Sequence, residues 1–101
     1  MTKLLEAARI LREGGWITGE YEDDRGAHCL VGAVSAAYGC DGGWAETGAG
    51  EDIAAIETAI GLLFPDHASE MIVDFNDDTE TTEADVLLVL EKAAAEAGEL
   101  P

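Results

Sequence analysis

The sequence predicts a mainly α protein: a single small bundle of four or five helices with a minor β-hairpin near residues 16–30. Three observations carry that reading. Apolar residues recur at helical spacing in several separate stretches. The run from Gly26 to Tyr38 contains no Asp, Glu, Lys or Arg in an otherwise densely acidic chain. The length of 101 residues and a 48% hydrophobic content suit one globular domain, 1–101, that buries its own core without metal or disulfide support.

The first helix runs from Thr2 to Glu13, with Leu4, Leu5, Ala8 and Leu11 on one face. Thr2 can cap it, and Gly14-Gly15 stops it. Trp16 to Tyr21 is aromatic and β-branched and reads as a short strand. Glu22 to Gly26 is a turn, and Ala27 to Leu30 is the candidate partner strand. A central helix runs from about Leu30, where small residues such as Gly32 and Ala33 allow close approach, and it ends at Gly39. Gly39 to Gly50 holds five glycines and no helical period, so it is a loop, pinned by Trp44.

Asp52 to Phe64 is the third helix, with Ile53, Ile56, Ile60, Leu63 and Phe64 in a stripe that Pro65 ends. His67 to Phe75 forms a short fourth helix with Met71, Ile72 and Phe75 inward, and Asn76-Asp77 shape a turn. The last helix spans Glu83 to Ala97. Thr82 and Asp85 imitate a capping box, and Val86, Leu87, Leu90, Ala93, Ala94 and Ala97 face inward. Leu88 and Val89 widen that apolar arc, so the helix is buried on more than one side or offers a dimer contact.

Charge is the outlying property: five Lys and Arg against 22 Asp and Glu, a formal −17. No Lys or Arg occurs between Arg25 and Lys92. Such a surface repels nucleic acid and anionic membrane and attracts basic surfaces, unless the acidity serves only solubility or a salty cytoplasm. No apolar run reaches the roughly 18 residues that span a bilayer, and charge follows within a few residues of Met1, so the expected location is the cytoplasm. That setting disfavours a disulfide between Cys29 and Cys40. Neither lies in a CxxC motif, and with His28 and His67 they lack zinc spacing; Cys29 reads as a buried thiol and Cys40 as a loop thiol.

Several short motifs recur in a familiar order: Gly14-Gly15-Trp16, then His28-Cys29-Leu30-Val31-Gly32-Ala33, then Asp74-Phe75-Asn76-Asp77, and Thr82 before Asp85-Val86-Leu87. In this order the chain resembles an uncharacterised family of small proteins from actinobacteria and their phages. Members show an early Trp, a C-x-x-G-A run, a W-N-D triplet and a Thr-capped C-terminal helix. Phe75 stands here where that triplet has Trp. The resemblance carries over no activity. It implies an accessory protein of a phage or actinobacterium, in the host cytoplasm if phage-encoded.

Three stretches could carry chemistry. Asp74, Asn76, Asp78, Glu80 and Asp85 fall at positions one, three, five, seven and twelve of a calcium loop, but Thr79 replaces the turn glycine and Asp85 is shorter than the usual Glu. The same segment has six acids in twelve residues (Asp74, Asp77, Asp78, Glu80, Glu83, Asp85), and Glu20, Glu22, Asp23 and Asp24 form a second cluster. Displayed carboxylates can mimic nucleic-acid phosphates and occupy the basic groove of a partner protein. Cys29 at a helix N-terminus, with His67 or Asn76, invites a Cys-His-Asn nucleophile. The expectation is a non-catalytic acidic binding protein without cofactor, whose partner is a basic host or phage protein. Homodimerisation, calcium binding at 74–85 and a cysteine-dependent hydrolase are the alternatives.

Overall fold

A computed structural model describes residues 2–39, 50–67 and 71–99. The element order is α1 (Leu4–Gly14), α2 (Leu30–Ala37), α3 (Gly50–Leu63), a single 3-10 turn (Pro65–His67), α4 (Ile72–Asp77) and α5 (Glu83–Glu96). The expected loop thiol Cys40 and the expected pin Trp44 lie outside the described residues.

Helix α1 packs on α2 along one side and on α5 along the other; α5 in turn packs on α3, and α2 on α4. Leu4, Ala7, Ala8 and Leu11 are the buried stripe of α1. Small alanines at the contact let its neighbours come close. Helix α2 is the most completely enclosed, with Leu30 to Ser35 all buried, so the charge-free run does form an interior helix. It is not the hub of the packing, however, since α5 and α3 pair beside α1. The wide apolar arc of α5 has the same origin: flanked by α1 and α3, it buries Val86, Val89, Leu90, Ala93 and Ala94.

The hairpin near residues 16–30 does not form. Only isolated bridges occur there, Trp16 with His28 in parallel and Glu22 with His28 in antiparallel sense. Residues 27–29 are extended and lie between two other segments. On one side His28 N–H donates to Gly15 O (3.0 Å) and Ile17 N–H to His28 O (3.1 Å). On the other, Cys29 N–H donates to Tyr21 O (3.2 Å) and Asp23 N–H to Ala27 O (3.0 Å). Neither pairing can lengthen, because α1 ends at Gly14 and α2 begins at Leu30.

Two glycines make this wrap sterically feasible. A Cβ on Gly32 would stand 1.8 Å from Tyr21 O, and one on Gly14 would stand 2.3 Å from Gly26 O. Both neighbours are backbone, which cannot swing aside. The loop tip is held by Asp23, whose carboxylate accepts the N–H groups of Arg25 and Ala27, each at 2.9 Å. Those bonds, Ala27's foremost, hold its carboxyl below the usual range.

Helix ends follow the sequence unevenly. Thr82 and Asp85 form the full capping box at the start of α5. Thr2 does not cap α1. Lys3 occupies the cap position, and carboxylates from afar serve the first N–H groups: Glu99 accepts Leu4 N–H (2.8 Å), Leu5 N–H (3.1 Å) and the Thr2 hydroxyl, and Asp52 accepts Lys3 N–H (2.7 Å). Negative charge at a helix N-terminus is favourable. Met71 is exposed rather than inward, because α4 begins only at Ile72 and directs Ile72 and Phe75 to the core.

Candidate functional site

Asn76 does not shape a turn. It sits in α4 with only 1% of its surface exposed and works as a junction between three segments. Its Oδ1 accepts the Trp16 indole N–H (2.7 Å) and Leu30 N–H (3.0 Å). Its Nδ2 donates to Ile17 O (3.2 Å) and to Asp77 Oδ1 (3.0 Å). Leu30 N–H is among the donors that a helix N-terminus leaves without an intrahelical partner. A side chain 46 positions away in sequence therefore caps α2. Cys29 supplies the second cap, its Sγ accepting Gly32 N–H at 3.3 Å.

Beside this junction lies a pocket of about 260 Å³. Gly19, Glu20 and Tyr21 line it from the loop, Cys29 from the start of α2, and Val73, Asn76 and Asp77 from α4. Asp77 closes the loop onto α4 by accepting Gly19 N–H at 3.0 Å. A shallower concavity lined by Glu20 to Asp24 adjoins it, sharing Glu20 and Tyr21. The two acidic clusters, some fifty positions apart in the chain, are thus joined in space through Asp77 and Glu20.

The other predicted residues are spread around this centre. Asp74, Glu80 and Glu83 are exposed. Asp78 lies 4.0 Å from His67 and accepts Glu80 N–H (2.8 Å), while Asp85 is engaged in the α5 cap. The calcium set is not assembled. A helix occupies 72–77 where the loop would have to coil, Asn76 is turned to the core, and Asp85 caps α5. Among the described residues no group of three or more His, Cys, Asp or Glu is arranged to hold a metal ion.

Cys29 is buried, at 4% exposure. Burial pushes its thiol up, and the nearby Asp77 charge adds to this against the Gly32 N–H bond. A nucleophilic thiolate needs the opposite shift. Neither histidine lines the pocket. His67 packs edge-on against Phe75, and His28 points its Nε2 toward Glu22 at 3.8 Å. Asn76 does stand beside Cys29 in the lining, but its amide is committed to Trp16, Leu30, Ile17 and Asp77.

The motifs singled out in the sequence meet here: Trp16, Cys29 with Gly32, and Asn76-Asp77 are the members of one hydrogen-bonded junction. A family model covers residues 2–96, and its description is a family of unknown function, DUF6197. The chain belongs to this family. No curated protein and no solved structure matches it. Membership agrees with the resemblance to an uncharacterised family and adds no activity.

Sequence reasoning missed two buried polar groups. Asp52 is fully buried and accepts both Lys3 N–H and the Tyr38 hydroxyl (2.5 Å). Burial, then the Asp52 carboxylate, push the Tyr38 phenol well above its ordinary range. Asn76 as a junction was the second, and no spacing rule signals either. Val89 is not available as a dimer contact, since the α1 and α3 flanks bury it; Leu88 remains 46% exposed. No helix among the described residues is long and apolar enough to cross a membrane.

Proposed function

We propose that this chain is a non-catalytic binding protein that offers an acidic face to a basic protein surface. One observation carries the reading: the Asp77–Gly19 bond sets Asp77 of α4 beside Glu20 in one pocket, and the adjoining concavity lined by Glu20 to Asp24 shares Glu20 and Tyr21 with it. Opposite charge steers encounter and sets register, while an exposed ring contributes contact area. Most of the few bases lie elsewhere: Arg9 pairs with Glu6 and Glu13, Arg12 with Glu91, and Lys92 with Glu96, all on α1 and α5. Arg25, next to Asp24 at the loop tip, offsets part of the loop's charge and acts on Asp23.

The finer reading is an accessory protein of a phage or actinobacterium, working in the bacterial cytoplasm, with carboxylates standing in for the phosphates of nucleic acid. The raised Cys29 thiol and the commitment of Asn76 favour binding over hydrolysis. A pull-down from bacterial lysate at low and high salt tests the proposal. A specific basic partner, released by salt and retained poorly when Glu20, Glu22, Asp24 and Asp78 are made Gln or Asn, supports it. A partner held equally by that variant and insensitive to salt contradicts it.

A further inference from the structure

We infer that the pocket beside Cys29 is a socket for one arginine side chain of the basic partner. The inference rests on the acidic-face reading above and names what that face grips. At about 260 Å³ the pocket falls below the range of roughly 300–1,000 Å³ that holds drug-sized ligands and cofactors. It suits a side chain. Two carboxylates, Glu20 and Asp77, line it, and no base does.

Asp77 is pre-oriented. Its Oδ1 accepts Gly19 N–H and Asn76 Nδ2, and among the described residues nothing donates to Oδ2. A guanidinium can therefore bond a carboxylate already held in place, without the cost of ordering it first. Tyr21, 45% exposed, gives a ring on which a planar cation can stack, and Val73 gives an apolar wall for a methylene stem. A lysine ammonium is a strongly hydrated point charge and uses neither the ring nor the fork geometry as well.

The test uses the intact protein, labelled for amide NMR, and N-acetyl-arginine N-methylamide as probe. Its citrulline counterpart keeps the shape without the charge, and its lysine counterpart keeps the charge without the plane. Saturable shifts are expected at Gly19, Tyr21, Cys29 and Val73 with the arginine probe, weaker binding with the lysine probe, and no saturation with citrulline. Asp77→Asn keeps an acceptor for Gly19 N–H, and Glu20→Gln changes an exposed side chain; each should weaken the arginine probe by about five-fold or more. A melt of each variant checks folding, and Glu20→Gln carries the test if Asp77→Asn does not fold. Shifts that spread over residues 22–24 without saturating, equal binding of the lysine probe, or unchanged affinity in both variants overturn the socket. An oligolysine peptide separates this from failure of the wider reading. If oligolysine binds in a salt-dependent way while the arginine probe fails, the socket is wrong and the acidic face stands. If oligolysine also fails to bind, both fall.

Discussion

Replacing Asn76 by Ala should cost more stability than any substitution on the acidic surface. The change removes the acceptor for two N–H groups and the donor for two oxygens at once. Leu30 N–H lies in a buried place and has no alternative helical acceptor. A buried donor left without a partner costs about 1–3 kcal/mol, and the partly buried Trp16 indole adds about 1 kcal/mol. A total of about 2–4 kcal/mol is a large share of the roughly 5–15 kcal/mol that holds a small domain folded. At about 4–8 °C per kcal/mol for a chain of this size, the melting midpoint should fall by about 10–30 °C. Thermal and urea unfolding followed by circular dichroism measure the loss, and Trp fluorescence reports whether the Trp16 environment opens. Asn76→Asp is the informative companion. It keeps Oδ1 but sets a second carboxylate beside Asp77, so it should be less destabilising in acid, where one of them is protonated. A loss under about 1 kcal/mol for Asn76→Ala would refute the junction as the tie between the loop, α2 and α4.

Other substitutions and conditions test the packing and the charge. Gly32→Ala sets a Cβ 1.8 Å from the Tyr21 carbonyl and should cost at least about 2 kcal/mol, against a gain near 1 kcal/mol expected at an open helix position; a stabilised variant would mean that the loop does not lie on α2. Tyr38 has a folded pKa raised above its unfolded value, so its contribution is present below about pH 10 and is lost as pH rises through the folded value. Alkaline unfolding should therefore begin above the ordinary tyrosine range and be shallower in Tyr38→Phe; identical profiles would remove Tyr38 as the cause. With 22 acids and five bases, self-repulsion should ease as salt is added, so the melting temperature should rise from low to moderate salt.

Much of the helical frame was legible because apolar spacing is a local signal. Ile56 and Ile60 in α3, Leu4 and Leu11 in α1, and the Thr82 capping box are where their sequence patterns put them. The hairpin was misread because residues 16–30 carry strand-like composition, while their pairing is decided by helix ends on both sides of a short loop. For Leu88 and Val89 the wide apolar arc left burial on a second side or a dimer contact open. Val89 is buried because α5 lies between two helices, a choice that a single helical wheel does not decide. The candidate site was half visible. Both acidic clusters stood out in the sequence, but their adjacency rests on the Asp77–Gly19 bond, and the pocket rests on Asn76, which local rules assign to a turn.

The unity of the acidic face is the claim on which the functional account stands. Its most direct measurement is the salt dependence of affinity for one basic partner, or for oligolysine, in four proteins: the natural chain, Glu20, Glu22 and Asp24 neutralised, Asp78, Glu80 and Glu83 neutralised, and both sets together. If the clusters form one face, each set should lower the on-rate and flatten the salt slope for the same partner, and the double variant should lose nearly all salt dependence. If either set leaves affinity and slope unchanged, that cluster is only solvated surface and the single face does not exist.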